Sequence, residues 1–179
     1  MSRPALIALT LGLLLVPAAL LSGLVFVVTV GAPWLLNSQV GRVPREPILF
    51  DHSLHTRVVG LDCAFCHRTA SKGATAGYPE LEQCMFCHEV IGQGASEIEK
   101  VRVAWTDQQP INWERVHRMP DHVHFVHDAH IRAGFECATC HGDVQQMSQV
   151  VQVRRLNMSD CVDCHRQNQA PTECITCHH

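Results

Sequence analysis

The sequence is constrained most strongly by a five-residue motif, Cys-x-x-Cys-His, which occurs five times and contains all ten cysteines of the chain. The motifs begin at Cys63, Cys84, Cys137, Cys161 and Cys174. Histidine occurs 13 times in 179 residues. A histidine after all five cysteine pairs by chance therefore has a probability on the order of one in a million. The motif must have a chemical purpose.

Cysteines at positions i and i+3 lie on one side of a helical turn, so both thiols reach the edge of one planar group. Cys-x-x-Cys-His is the attachment signature of c-type haem, in which two thioethers hold the porphyrin and the histidine is the proximal iron ligand. Zinc sites and disulfides use cysteine pairs but do not require the following histidine. The sequence therefore predicts five covalently attached haem c groups. The predicted thioether residues are Cys63, Cys66, Cys84, Cys87, Cys137, Cys140, Cys161, Cys164, Cys174 and Cys177. The predicted proximal ligands are His67, His88, His141, His165 and His178.

Eight histidines lie outside these motifs, which is more than five irons need as distal ligands: His52, His55, His117, His122, His124, His127, His130 and His179. A histidine or methionine in the distal position closes the iron as a low-spin electron-transfer centre, and methionine raises its potential relative to histidine. Met147 and Met158 are therefore further candidates. His122 and His124 lie in a dense histidine region, where hydrogen bonding or contact with haem propionates is the expected role.

The N-terminal segment has no charged residue from Pro4 to Gly41. Its apolar part, Ala5 to Ala32, would form roughly 42 Å of helix, enough to cross a hydrocarbon layer of ~30 Å. Trp34 would lie at the membrane interface. Arg3 is the only early positive charge, which places the N-terminus in the cytoplasm and the bulk of the chain outside. A cleaved signal peptide is the alternative, but its apolar region is only about 7–15 residues long, so we expect a retained anchor.

We predict an anchor over residues 1–36, an extended linker over 37–49 and a haem domain over 50–179. The domain would have a part with two haems, about 50–110, and a part with three, 111–179. Few apolar residues remain after the anchor, so the porphyrins must supply the core. The expected fold is a multihaem cytochrome c, mostly irregular, with short α-helices around each motif. The alternation in Val101–Trp105 predicts a short strand.

The net charge of −3 and the lack of a long basic run exclude a nucleic-acid partner.

The pattern Phe-x-His-x-x-His precedes a Cys-x-x-Cys-His motif twice, at Phe50–His55 and at Phe125–His130. This arrangement resembles small multihaem cytochromes of the class III type. The resemblance implies that the first histidine binds the iron of the next motif and the second binds a later one. It implies four ligand pairs: His52 with His67, His55 with His88, His127 with His141, and His130 with His165. For the fifth haem, the family's usual position before a later motif holds Met158, with His117 and Met147 as alternatives.

The segment Trp113–Asp121, the segment Leu156–Met158, the anchor and the five motifs together resemble the pentahaem subunit of alternative complex III. That is a bacterial quinol-oxidising complex, respiratory or photosynthetic. The resemblance implies a subunit without a catalytic site, bound to the cytoplasmic membrane with its bulk on the periplasmic side. It would receive electrons through integral-membrane and iron–sulfur subunits and pass them to a monohaem cytochrome or a copper protein.

Two other functions are possible. A stand-alone membrane-anchored quinol dehydrogenase that feeds a periplasmic reductase usually has its first haem motif close to the anchor. Here about 30 residues separate Ala32 from Cys63, which weakens a direct quinol site. A catalytic multihaem reductase needs an iron with an open position, and the surplus of distal candidates favours five closed irons.

Overall fold

The computed structural model describes residues 3–32 and 39–178, without the side chains of residues 5–12. Trp34, expected at the membrane interface, and His179, one of the surplus histidines, lie outside the described residues. The chain divides into two compact units, Met1–Ser38 and Gln39–His179.

The first unit is a single helix, α1 (Arg3–Phe26), which continues through a π-helical turn over Val27–Gly31. The 19 residues Leu13–Gly31 are long and apolar enough to cross a membrane, a property that signal sequences share. The hydroxyls of Ser22 and Thr29 donate to carbonyls four residues earlier, at 2.8 and 2.7 Å. Those polar side chains are therefore satisfied within the helix itself, as an apolar surrounding requires.

The second unit consists of short helices and turns. Its α-helices are α2 (Cys63–Cys66), α3 (Leu81–His88), α4 (Ser96–Thr106), α5 (His127–Arg132), α6 (Cys137–His141), α7 (Met158–Gln167) and α8 (Cys174–Cys177). A π-helical turn covers Leu54–Val58 and a 3-10 turn covers Val144–Gln146. In the described part of the chain, strand-like pairing is limited to two isolated bridges, Val40 with Gln152 and Val123 with His178. Five helices carry the five motifs, as the sequence predicts.

The predicted strand at Val101–Trp105 is wrong, because these residues lie inside helix α4. Glu97 and Glu99 are in its first turn, where negative charge is favourable to the helix dipole. Glu97 also forms an ion pair with Lys100, and Glu99 forms one with Arg102, each at 2.7 Å and three residues apart. Five alternating residues are too few to outweigh a helical charge pattern spread over the whole segment.

The residues predicted as a linker are attached to the haem domain from Gln39 onward. The Gly41 amide donates to the Gln152 carbonyl at 2.8 Å, and the Leu49 amide donates to the Glu97 carboxylate at 2.7 Å. The segment is extended, as its prolines and glycine indicate, but its backbone groups bond to distant parts of the domain. The two predicted sub-parts likewise form one unit.

The apolar core of the polypeptide is very small. Among the described residues, the buried apolar side chains are Ile48 and Val101, each 6% exposed, and Pro44. Gln83 is the one buried polar residue in that part of the chain, and its side-chain amide donates to the Phe65 carbonyl. A domain of this size normally buries well over half of its chain surface. This polypeptide therefore fits the expectation that porphyrin faces complete its core.

Because the core is so small, each of its members should matter. We expect Ile48→Ala to lower the free energy of unfolding of the haem-loaded domain by about 2–5 kcal/mol, the usual range for a buried Ile→Ala change. The neighbouring Leu49 is 57% exposed, and Leu49→Ala should change it by less than about 0.5 kcal/mol. Denaturant titrations followed by circular dichroism would measure both, and equal effects would contradict the assignment of Ile48 to the core.

Candidate haem sites

Two of the five attachment motifs lie on helices that polar side chains cap at the start. The Asp62 carboxylate accepts from the Ala64 amide at 2.8 Å and so caps helix α2. Helix α7 begins with a capping box formed by Asn157 and Asp160. These caps satisfy backbone amides that would otherwise lack partners at the helix start. Each turn then presents the two thiols of its motif on one side.

All ten cysteines are free thiols in the structure. Burial raises the pKa of five of them: Cys63, Cys66, Cys84, Cys140 and Cys161. Free, paired thiols on single helical turns fit thioether attachment.

Four of the five motif histidines donate from Nδ1 to a backbone carbonyl: His67 to Gly77 (2.8 Å), His88 to Ile91 (3.3 Å), His165 to Pro171 (2.5 Å) and His178 to His122 (3.2 Å). A carbonyl only accepts, so Nδ1 must carry the proton. The other ring nitrogen, Nε2, is then left with its lone pair, as an iron ligand requires. This bond also fixes the orientation of each ring.

The same bond occurs at three of the four distal histidines implied by the class III resemblance. They are His55 to Asp51 (2.8 Å), His127 to Ala74 (2.7 Å) and His130 to Val126 (2.8 Å). The fourth, His52, has a buried Nδ1 without a hydrogen-bond partner in the structure. His52 therefore departs from the Nδ1 pattern of the other three.

The phenylalanine of each Phe-x-His-x-x-His segment contacts both histidines in the same way. Phe50 is nearly parallel to His55, with ring centroids 4.3 Å apart, and edge-on to His52 at 4.7 Å. Phe125 is nearly parallel to His130 at 4.7 Å and edge-on to His127 at 4.8 Å. The repeated geometry explains the phenylalanine, since one ring fixes two imidazoles in perpendicular orientations.

Two imidazoles that bind one iron from opposite sides, each with a metal–nitrogen distance of about 2 Å, place their ring centroids about 6 Å apart. Three pairs lie at this separation: His55 and His88 at 6.0 Å, His127 and His141 at 6.3 Å, and His130 and His165 at 5.9 Å. His52 lies close enough to His67 to interact electrostatically. These are the four pairs implied by the resemblance, and their binding to iron stays a prediction.

Burial, and then the proximity of His67, lowers the pKa of His52 to about 4. Burial, and then the proximity of His117, likewise lowers the pKa of His141 to about 4. Both imidazoles are therefore neutral at physiological pH, which is the form that binds a metal.

The three residues proposed from sequence for the fifth distal position lie in different places. Met158 is the first residue of α7 and is 70% exposed. Met147 is half-buried, and its carbonyl accepts from the Ser53 amide at 3.1 Å. His117 is half-buried, with a buried, unpaired Nε2, and its ring centroid is 4.4 Å from that of His141.

The five motifs interact with one another through their cysteines. The interacting pairs are Cys84 with Cys66, Cys63 with Cys137, Cys140 with Cys164, and Cys161 with Cys177. In addition, His141 interacts electrostatically with His67. Each motif therefore lies next to at least one other, and together they form a continuous series through the domain.

Comparison with known proteins finds a family that part of this site resembles. Residues 36–114, which contain the first two motifs and the first Phe-x-His-x-x-His segment, match the class III cytochrome c family. Class III cytochromes are multihaem proteins with covalently attached c-type haems, so the residues described above fit the cofactor that the family carries.

The class III relationship extends to a curated relative. The chain is 28% identical over 109 residues to the multiheme cytochrome c subunit of menaquinone reductase from Nitratidesulfovibrio vulgaris (strain Hildenborough). The match covers 60% of this chain and 51% of the relative, so the chain spans about half the length of the curated relative it matches. The chain is thus similar to a multihaem cytochrome c subunit over part of its length.

One ring pair was missed by the sequence reasoning. The His122 ring lies 5.5 Å from the His178 ring, centroid to centroid, and the two are within 17° of parallel. The residues are 56 positions apart, and no spacing rule of the class III pattern joins them. The only signal for this pair in the sequence was the density of histidines between His117 and His130, which does not single out His122.

Proposed function

We propose that this chain is a membrane-anchored pentahaem subunit that carries electrons within a quinol-oxidising complex of the alternative complex III type. The observation that carries the proposal is the continuous series of electrostatic interactions among the five motifs. A chain that places five attachment sites side by side is organised for passing electrons between cofactors. Its own residues position the haems and set their ligands, as in other cofactor-dependent electron carriers.

These interactions imply a spatial order that differs from the order along the chain. The motif at Cys84 lies near enough to the one at Cys63 to interact with it electrostatically, and the motif at Cys63 does so with the one at Cys137. The motif at Cys137 interacts in the same way with the one at Cys161, and that one with the motif at Cys174. In this order the haems at Cys84 and Cys174 would be the two ends, where electrons arrive and leave.

The residues of the chain have three roles in this function. The cysteine pairs hold each haem, whose iron, when bound, alternates between ferric and ferrous states. The Nδ1–H bonds to backbone carbonyls orient the imidazoles and strengthen them as ligands. Two histidines on one iron leave no position for a substrate, which favours electron transfer over the catalytic reductase considered above.

The membrane assignment rests on the N-terminal unit. Residues Leu13–Gly31 are suited to span a membrane, and Arg3 at the N-terminus favours a cytoplasmic start. The haem domain would then lie on the periplasmic side of a bacterial cytoplasmic membrane. There it would meet iron–sulfur and integral-membrane subunits of its complex, and a monohaem cytochrome or copper protein as acceptor.

A second candidate function reverses the direction of electron flow. The relative in N. vulgaris is a subunit of a menaquinone reductase, so this chain could deliver electrons to a quinone instead of receiving them from a quinol. The series of haems would be the same in both cases. The direction would depend on the relative potentials of the donor and the quinone, not on the fold.

Purification from native membranes in mild detergent, followed by mass spectrometry of the co-purifying subunits, tests the proposal. We expect iron–sulfur and integral-membrane subunits, and reduction of a periplasmic cytochrome by added quinol. Quinone reduction by a reduced cytochrome, without the reverse reaction, would select the second candidate. Isolation of the chain alone, with quinol oxidation intact, would overturn both and favour a stand-alone quinol dehydrogenase.

A further inference from the structure

We propose, resting on the haem-bearing function above, that loop 69–77 is a shared positioning element for two haems. Its carbonyls hold His67, the proximal ligand of the haem attached at Cys63, and His127, the distal ligand of the haem attached at Cys137. One short segment thereby fixes the ligand geometry on both sides of a single electron-transfer step. That step joins the part of the domain with two haems to the part with three.

Two carbonyls of the loop, three residues apart, accept from the two imidazoles. His67 donates from Nδ1 to the Gly77 carbonyl at 2.8 Å, and His127 donates from Nδ1 to the Ala74 carbonyl at 2.7 Å. Each bond leaves Nε2 free on the side of the ring that faces away from the loop. The loop therefore lies behind both imidazoles, where it orients them without competing with the iron.

The loop also holds the start of helix α5, which carries His127. The amides of His127 and Asp128 donate to the carbonyls of Ala74 and Gly73, both at 3.1 Å. The first amides of a helix have no partner within it, so the loop supplies the missing acceptors. His127 lies 53 positions beyond Ala74 along the chain. These bonds therefore connect the two parts of the haem domain.

The loop depends on its own hydrogen bonds, because its residues are half-buried or exposed. The Thr69 hydroxyl donates to the Ala76 carbonyl at 2.8 Å and closes the loop beside Gly77. Gly77 has a φ of 70°, and a Cβ there would lie 2.9 Å from Thr69 Oγ1. A side chain at this position would thus strain the backbone and displace the hydroxyl that closes the loop.

The two haems that share the loop are neighbours in the proposed series. Cys63 interacts electrostatically with Cys137, and His67 does so with His141, the proximal ligand of the second haem. A change in the loop alters the donor and the acceptor of this step together, whereas a change at one ligand alters a single haem.

The test is the Gly77→Ala variant of the full chain, purified with its haems and examined by electron paramagnetic resonance in the ferric state and by redox titration. We expect the resonance signals of two of the five haems to shift and the potentials of the same two to rise. A weakened Nδ1 bond makes each imidazole a poorer donor to ferric iron. The other three haems should be unchanged, and intact mass should still show five.

Gly73→Ala is the matched control within the loop. Gly73 does not have a positive φ, and its Cβ would come no nearer than 3.9 Å, to the Thr69 carbonyl, so all five haems should remain as in the wild type. Gly41→Ala controls for backbone strain alone. Gly41 has a φ of 77°, but a Cβ there would meet no atom within 4 Å. This variant should lose stability without moving any haem signal.

If Gly77→Ala does not accumulate, Thr69→Ala takes its place, since it removes the bond that closes the loop, and Thr69→Ser should restore the wild-type signals. Shifts in no haem, in one haem or in more than two would each overturn the proposal, as would equal shifts in either glycine control. These readouts require only bound haem. Failure of the subunit function, seen as missing partners or missing quinol oxidation, is therefore distinguishable.

Discussion

Replacing Cys137 and Cys140 together by alanine is expected to remove one haem and interrupt electron transfer between the two ends of the domain. These cysteines belong to the central motif of the proposed series, which interacts electrostatically with the motif at Cys63 and with the motif at Cys161. Without it, the remaining haems form two separate pairs. Because transfer between haems falls steeply with distance, we expect end-to-end transfer at roughly 1% or less of the wild-type rate.

Stopped-flow reduction with absorbance detection would measure this rate, and intact mass would verify the loss of one haem. The matched control is the double variant Cys174→Ala and Cys177→Ala, which also removes one haem but at an end of the series. The four remaining haems should then still equilibrate rapidly. The proposed order would be contradicted if electrons equilibrated rapidly among all four haems of the central variant. It would also be contradicted if the four haems of the end variant behaved as two isolated groups.

The second large effect is expected for His130→Met, which exchanges one imidazole ligand for a thioether. His130 lies 5.9 Å from His165, so the variant should alter the haem attached at Cys161 and Cys164. Methionine ligation raises the haem potential. Axial ligands span a range of about 0.8 V, and we expect an increase on the order of 0.1 V for this one haem.

A redox titration followed by optical spectroscopy would show one haem displaced to higher potential and four unchanged. Since this haem lies inside the proposed series, the variant should also trap an electron there and slow transfer. His55→Met should raise the potential of the end haem at Cys84 without blocking the interior. His124→Met changes a nearby histidine outside the ligand pairs and should leave all five potentials as they are. An unchanged titration for His130→Met would remove His130 from the ligand set.

Local patterns carry most of what could be predicted. Each attachment motif spans five residues, so its helix and its two thiols depend on little beyond one turn and its cap. The Phe-x-His-x-x-His segments are equally local, because Phe50 and Phe125 contact histidines two and five residues away. Class III resemblance then implied four ligand pairs, three of which lie at the separation that one iron requires.

The strand predicted at Val101–Trp105 shows where a local pattern was insufficient. Alternation over five residues was outweighed by ion pairs that only a helix can form, such as Glu99 with Arg102. Arg102 also donates to the His88 carbonyl at 3.0 and 2.7 Å. Helix α4 is therefore hydrogen-bonded to the end of an attachment motif. A pattern read over five residues cannot indicate such a distant contact.

By itself, the sequence predicted the attachment residues and the proximal histidines and indicated the apolar N-terminal helix, because each depends on neighbours within a few positions. Only the tertiary structure brought Cys84 near Cys66 and the ring of His122 to 5.5 Å from that of His178. These relations join residues as far as 56 positions apart. Such contacts are set by how the chain folds back on itself, and the spacing of residues along the sequence does not encode them directly.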